Sequence, residues 1–124
     1  MSKLNDILKE LRGEIGGDLL ILSICGLDGV SIARESTLND ADTADQQAGR
    51  AVMALQAGKR VAEKLKIGTF EESLMTTNQV YVMTNFLGDG SYALIAVLTR
   101  KATPGTARML IEEYSPRIWD AIPR

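Results

Sequence analysis

Residues 41–66, ADTADQQAGRAVMALQAGKRVAEKLK, decide the architecture. They read as one helix of about seven turns at ~3.6 residues per turn. At ~100° per residue, Ala44, Ala48, Ala51, Val52, Leu55 and Ala62 fall on one flank. Ala54, Ala57, Gly58, Val61 and Leu65 fall on the adjoining flank. An ordinary surface helix needs a single apolar stripe, so two stripes mean two surfaces to cover. One flank is expected to lie on the chain's own sheet and the other to meet a second chain. Opposite both lies an arc of Gln46, Gly49, Arg50, Met53, Gln56, Arg60 and Lys64. Met53 is an adaptable apolar side chain among polar ones there, a combination suited to a binding surface. Asp40, Asp42 and Asp45 load the start of the helix, and Lys59, Arg60, Lys64 and Lys66 its end, in the sense that complements the helix dipole. Thr43 with Gln46 has capping-box spacing, and Gly68 is expected to close the helix.

Toward the N-terminus, Leu4, Ile7, Leu8, Leu11 and Ile15 repeat at helical spacing, with Ser2 as N-cap and Gly16-Gly17 as the stop. Residues 19–25 form a nearly unbroken apolar run of strand length, which implies burial on both faces. Gly26-Leu27-Asp28-Gly29 is a turn, after which apolar Val30 and Ile32 alternate with Ser31 and Arg34 as in a half-exposed strand. Beyond the long helix, residues 70–77 are short and polar-rich, as an edge strand is. Asn78-Gln79 turns the chain, Val80, Val82, Thr84 and Phe86 alternate with Tyr81, Met83 and Asn85, and Gly88-Asp89-Gly90 makes a hairpin loop. Residues 92–98 are a second apolar, central strand. Thr103 is placed as an N-cap and Pro104 at the first helical position, with Ala107, Leu110, Ile111 and Tyr114 as the buried stripe. Pro116 is expected to break or kink this helix after Ser115, leaving Ile118, Trp119 and Ile122 in an irregular last turn. Short loops make neighbouring strands antiparallel. The expectation is one three-layer α/β domain over residues 1–124, of order α-β-β-α-β-β-β-α. Its five-stranded antiparallel sheet carries the long helix on one face and the terminal helices on the other.

Composition narrows the chemistry. With net charge −2 and pI near 5.1, broad binding to nucleic acid or an anionic membrane surface is not implied. No apolar run approaches the ~20 residues that span a bilayer, and charges fall among the first residues where a signal peptide needs its apolar core, so a cytoplasmic protein is expected. The single cysteine, Cys25, sits in an apolar run and reads as a buried thiol. The chain has no histidine, which removes Ser-His and Cys-His nucleophiles, histidine-bound zinc and haem, and imidazole acid–base chemistry. Residues 88–93 spell G-x-G-x-x-A but precede a strand, where a pyrophosphate needs a helix N-terminus. Gly58-Lys59 lies in mid-helix without the other P-loop residues. Asp40, Asp42 and Asp45 lack the glycine and closing glutamate of a calcium loop. Glu71 and Glu72, neighbours on a strand, face opposite sides, and Glu112-Glu113 reads as solvated helix surface. A ligand pocket should show convergent polar groups, and the central strands show almost none. No catalytic, metal or cofactor site is expected, and the chain is not read as an enzyme.

Four stretches in this order resemble the Roadblock family, the group of the roadblock-type dynein light chains and the bacterial gliding-motility GTPase regulators. They are residues 20–33 with the Gly26–Ala33 hairpin, the alanine-rich helix 41–65, the hairpin and strand 88–98, and Pro104-Gly105-Thr106-Ala107-Arg108 at the last helix start. The resemblance implies a fold close to longin and profilin-like domains. It further implies a homodimer with central helices packed antiparallel and third strands paired across the two-fold into one ten-stranded sheet. Ala54, Ala57, Gly58, Val61, Leu65, Phe70, Ser73 and Met75 would line that interface. Pairing the polar edge strand with its copy also removes an open aggregation template. The family's members serve as platforms for small Ras-like GTPases, some as GTPase-activating proteins, or as subunits of motor or signalling complexes. By that likeness Gln46, Arg50, Met53, Gln56, Arg60 and Lys64 would be the GTPase-docking face. The alternative is a small-ligand-binding sensor module or a structural subunit of a larger motor or signalling complex.

Overall fold

The computed structural model describes residues 3–37 and 41–124. Ser2, Asp40 and the side chain of Asp42, to which capping or dipole roles are assigned above, lie outside the described residues. The elements run α1 (Lys3–Ile15), β1 (Leu19–Gly26), β2 (Ser31–Ser36), α2 (Ala41–Leu65), β3 (Glu72–Thr76), β4 (Val80–Leu87), β5 (Tyr92–Thr99) and α3 (Pro104–Ala121). The sheet is antiparallel in the order β2-β1-β5-β4-β3. The last strand thus returns to the centre, between β1 and β4, which explains why residues 93–98 are all buried.

Two cores flank the sheet. Leu4, Ile7, Leu8 and Leu11 of α1 and Ala107, Ile111, Tyr114 and Ile118 of α3 cover one face with Leu22, Ile24, Leu94 and Leu98. Ala44, Ala48, Val52 and Leu55 of α2 cover the other with Ile21, Cys25, Ile95 and Val97. The long helix and the terminal helices occupy opposite faces, as the apolar patterns predict. At ~1.5 Å per residue α2 is about 37 Å long, while five strands ~4.8 Å apart span about 19 Å between their outer members. The helix therefore crosses from the β2 edge to the β3 edge and touches all five strands. Burial pushes the Cys25 thiol above its ordinary value despite a hydrogen bond with Ser23.

Several local expectations are corrected. Val30 and Ile32 are not the inner residues of β2: they are 59% and 43% exposed, while Ala33 is buried. The register passes from Ile24↔Ala33 to Cys25↔Ser31, so Ile32 is the extra residue of a β-bulge and is turned out of the alternation. Gly68 does not close α2. Lys66 takes the left-handed conformation at φ 54°, its N–H bonds to Glu63 O, and the Ile67 N–H bonds to Ala62 O. That 5→2 and 6→1 pair is a Schellman motif, built here on lysine. Because α2 already begins at Ala41, Thr43 lies within its first turn rather than at the cap. Thr103 caps α3 with its carbonyl only, accepting from Thr106 and Ala107, and no side-chain cap bond forms.

Pro116 does not end α3, which runs unbroken to Ala121. A proline there forgoes one helical hydrogen bond and costs about 3 kcal/mol. The turns beyond it bury Ile118 and Ile122, and Trp119 packs edge-on against Tyr92 and over Gly88, which together outweigh that loss. Gly88 sits at φ 54°, and a Cβ added there would lie 2.1 Å from the Trp119 ring. Both the turn and the ring require glycine at this position.

Candidate interaction site

The exposed surface of α2 is organised by how the helix is held. Near its N-terminus Arg34 Nη1 donates to both carboxylate oxygens of Asp45 at 2.7 and 2.9 Å. Asp45 thus serves an ion pair with β2 as well as the helix dipole. One turn on, Gly49 meets the backbone of Gly29, whose oxygen would lie 3.0 Å from a Cβ at position 49. Gln56 Nε2 then donates to Leu27 O. Gly49 and Gln56 belong to the arc drawn above as solvent-facing, but both are half-buried against the β1–β2 turn. Helical geometry places a residue on a face without showing that a loop folds back over that face. The rest of the arc is open: Gln46, Arg50, Met53, Arg60 and Lys64 are exposed, Met53 at 69%. Three of these five are cations and none is acidic, so the arc presents positive charge around an apolar methionine.

The second flank is also uncovered among the described residues. Ala54, Ala57, Val61 and Leu65 are exposed, the last two at 55% and 62%. Gly58 is different. A Cβ there would come 2.9 Å from the Phe70 ring, which stands edge-on to Phe86 at 6.1 Å. The close approach that Gly58 permits is to Phe70 of its own chain. The edge strand is β3, shorter than residues 70–77: among the described residues it pairs with β4 alone and has no strand neighbour on its other side. Ser73 Oγ hydrogen-bonds Thr84 Oγ1 along this pair, while Met75 is exposed. Sequence reasoning missed two further exposed apolar residues nearby, Ile67 after the helix stop and Leu74 on the opposite face of β3 from Met75. Neither belongs to a periodic stripe. Yet an apolar residue directly after a helix end is a readable signal, because it normally packs back on the last turn.

At the opposite corner the ladder between β3 and β4 stops at Glu72↔Asn85, while β4 continues to Leu87. The overhang leaves a cavity of about 600 Å³ between the end of β4, the segment before β3 and the middle of α3. Polar side chains are buried on the central strands, contrary to expectation, with Ser23 on β1 and Thr84 and Asn85 on β4, and of these Asn85 lines the cavity. Glu72 Oε1 pairs with Arg108 at 2.7 Å and Glu72 Oε2 accepts from Asn85 Nδ2 at 3.2 Å. Glu112, exposed as the surface reading expects, lies at the wall of the cavity with Arg108 3.5 Å away. Asp89, on its rim, is held below the usual carboxylate range by hydrogen bonds from the Ser91 hydroxyl and backbone N–H. Among the described residues no group of three or more His, Cys, Asp or Glu could hold a metal ion, and no helix is long and apolar enough to cross a membrane.

No family model matches the sequence, and no curated protein matches it in sequence. Solved structures do match it in fold. Myxococcus xanthus MglB superimposes with a TM-score of 0.82 at 14% identity, over 95% of this chain and 93% of that one. An MglB described as having a tetrameric arrangement gives 0.84 at 16% identity, over 96% and 87%. A Roadblock/LC7 domain from Streptomyces avermitilis gives 0.76 at 17% identity, over 94% and 98%. The chain has the Roadblock/LC7 fold. At these identities the shared property is the path of the backbone. The Roadblock/LC7 fold is thus reached here with its own set of surface residues, and those decide what binds.

Proposed function

We propose that this chain is a non-enzymatic, homodimeric platform for a small Ras-like GTPase, acting as a tethering or GTPase-activating subunit. The observation that carries this reading is the state of α2 within a Roadblock/LC7 fold: of three faces, one is packed and two are open. The apolar face of Ala54, Ala57, Val61 and Leu65 lies on the helix that reaches the β3 edge, and among the described residues both lack a partner. An isologous contact would satisfy both with one patch. Phe70, with Gly58 behind it, would border that contact, and Ser73 and Met75 would lie on the paired strands. The arc of Gln46, Arg50, Met53, Arg60 and Lys64 would then form a doubled docking face, with Gln56 holding the helix against the β1–β2 turn. Its positive charge would steer an acidic partner surface. The similarity in fold to MglB, including a solved tetrameric arrangement, supports self-association and a GTPase-linked role.

The test uses purified Ras-like GTPases from the same organism, each loaded with GDP or a GTP analogue, titrated against the dimer. One of them should bind in a nucleotide-dependent way, and a Met53→Asp, Arg50→Glu double variant should lose that binding while remaining dimeric. If no such GTPase binds in either state, the platform reading fails and a structural dimer remains.

A further inference from the structure

We infer that the free edge of β3 pairs with a second copy of the chain in one register, with the two-fold axis through Leu74. This rests on the homodimer proposed above and goes beyond it by fixing which residues meet. The bonding of β3 to β4 decides which backbone groups remain free. The Thr77 N–H donates to Val80 O at 2.9 Å and the Phe86 N–H to Glu71 O at 3.2 Å, on either side of the ladder from Glu72↔Asn85 to Thr76↔Tyr81. Opposite residues of an antiparallel pair alternate between hydrogen-bonded and non-bonded sites. The odd-numbered residues of β3 therefore turn their backbone groups toward β4. Glu72, Leu74 and Thr76 turn theirs toward the edge that no described strand covers.

Bonds across that edge form only where one outward residue faces another, so the two-fold axis passes through a residue and never between two. With the axis at Leu74, Leu74 faces its own copy and Glu72 faces Thr76 of the second copy. Every outward N–H and C=O of the strand then finds a partner. Moving the axis to Met75 sends Glu72 opposite Asn78, beyond the bond from Thr77 to Val80 that closes the turn. Moving it to Ser73 sends Thr76 opposite Phe70, which precedes the strand and packs on Gly58, and sets Leu74 against the Glu72 carboxylate. Side chains agree with the Leu74 axis. Leu74, 51% exposed and on the sheet face of α1 and α3, covers its own copy. Met75, also 51% exposed and on the face of α2, covers Ser73 of the second copy. The Thr76 hydroxyl meets Glu72, whose carboxylate accepts from Arg108 and Asn85 and has lone pairs to spare. No like charges stand opposite each other.

Cysteine scanning reads the register directly, because the native thiol, Cys25, is buried. Facing residues have Cα atoms about 4.5–5.5 Å apart, within the ~4.4–6.8 Å that a disulfide spans, whereas diagonal neighbours at about 7–8 Å fall outside it. Full-length Ser73→Cys, Leu74→Cys and Met75→Cys are oxidised separately, and Ser73→Cys is also mixed with Met75→Cys under reducing conditions, to exchange subunits, before oxidation. Cross-linking is followed on non-reducing gels, and the parent's mass by sedimentation equilibrium. Leu74→Cys alone, and the mixture, should cross-link about tenfold or more faster than Ser73→Cys or Met75→Cys alone. Fastest self-linking at Ser73→Cys or Met75→Cys overturns the register and leaves the dimer standing. A dimeric parent with no cross-linking in any sample overturns pairing through β3. A monomeric parent sinks the homodimer reading itself, and this register with it.

Discussion

Leu65→Ala isolates the second flank of α2 from the fold beneath it. Leu65 lies in the last turn of the helix and is 62% exposed within the chain. The substitution removes three carbons, each worth about 0.8 kcal/mol when taken from water to a fully buried site. Scaled by the exposed fraction that an interface could cover, the loss is about 1.5 kcal/mol per protomer. A two-fold axis applies it twice, giving about 3 kcal/mol and a dimer dissociation constant raised about a hundredfold. The monomer should not notice, because alanine is the better helix former and the leucine contributes little to the chain's own core. Sedimentation equilibrium over a dilution series measures the constant, and thermal unfolding at concentrations where both proteins are monomeric measures the fold. A dissociation constant within about threefold of the parent, with the fold intact, would show that this flank does not meet a second copy.

Two further outcomes follow from backbone and burial. Lys66→Gly relieves a non-glycine left-handed residue at the helix stop without removing a core contact, since Lys66 is exposed. It should stabilise the protein by about 0.5–1 kcal/mol and raise Tm by about 2–4 °C in calorimetry, whereas Lys66→Val should lower it. At alkaline pH, Tyr114 and Cys25 set the direction. Burial, then hydrogen bonding to Glu14 and the charges of Glu10 and Glu14, push the Tyr114 phenol up from 10.0 to about 12, and burial raises the Cys25 thiol above 9.0. Both groups ionise more readily in the unfolded chain, so the stability gained by keeping them neutral is whole below about pH 9 and is lost as pH rises through the folded values. Tm measured across the alkaline range should fall, and the fall should be shallower in Tyr114→Phe.

The inner flank of α2 was legible because burial and helical period are the same signal read twice: Ala44, Ala48, Val52 and Leu55 are all covered. The unbroken apolar runs were equally readable, since only strands covered on both faces tolerate them. What escaped depends on where separate segments meet. Nothing local in Gly49 says that Gly29 will lie across it, and nothing local in Ile32 says that a bulge will turn it outward. Pro116 carries a strong local preference, overridden by the packing of Ile118, Trp119 and Ile122, whose partners are distant in sequence. The cavity was least legible of all. It exists because β3 begins too late to cover the end of β4, a difference of two residues in register that composition does not encode.

The same contacts bear on how the surface would work. The helix is tied near its start by Asp45 to Arg34, then by Gly49 and, past its middle, Gln56 to the β1–β2 turn, and by Gly58 to Phe70. Met53 and Arg50 lie between the first of these ties, and Val61 and Leu65 follow the last. Both open faces are therefore carried on one helix whose backbone is already fixed against the sheet. Association then costs the rotamer freedom of exposed side chains, not the ordering of a segment. The arc meets a guest through long, mobile groups on a rigid base, so charge reversal at Arg50 should act chiefly on the rate of encounter, and truncation of Met53 on the lifetime of the complex.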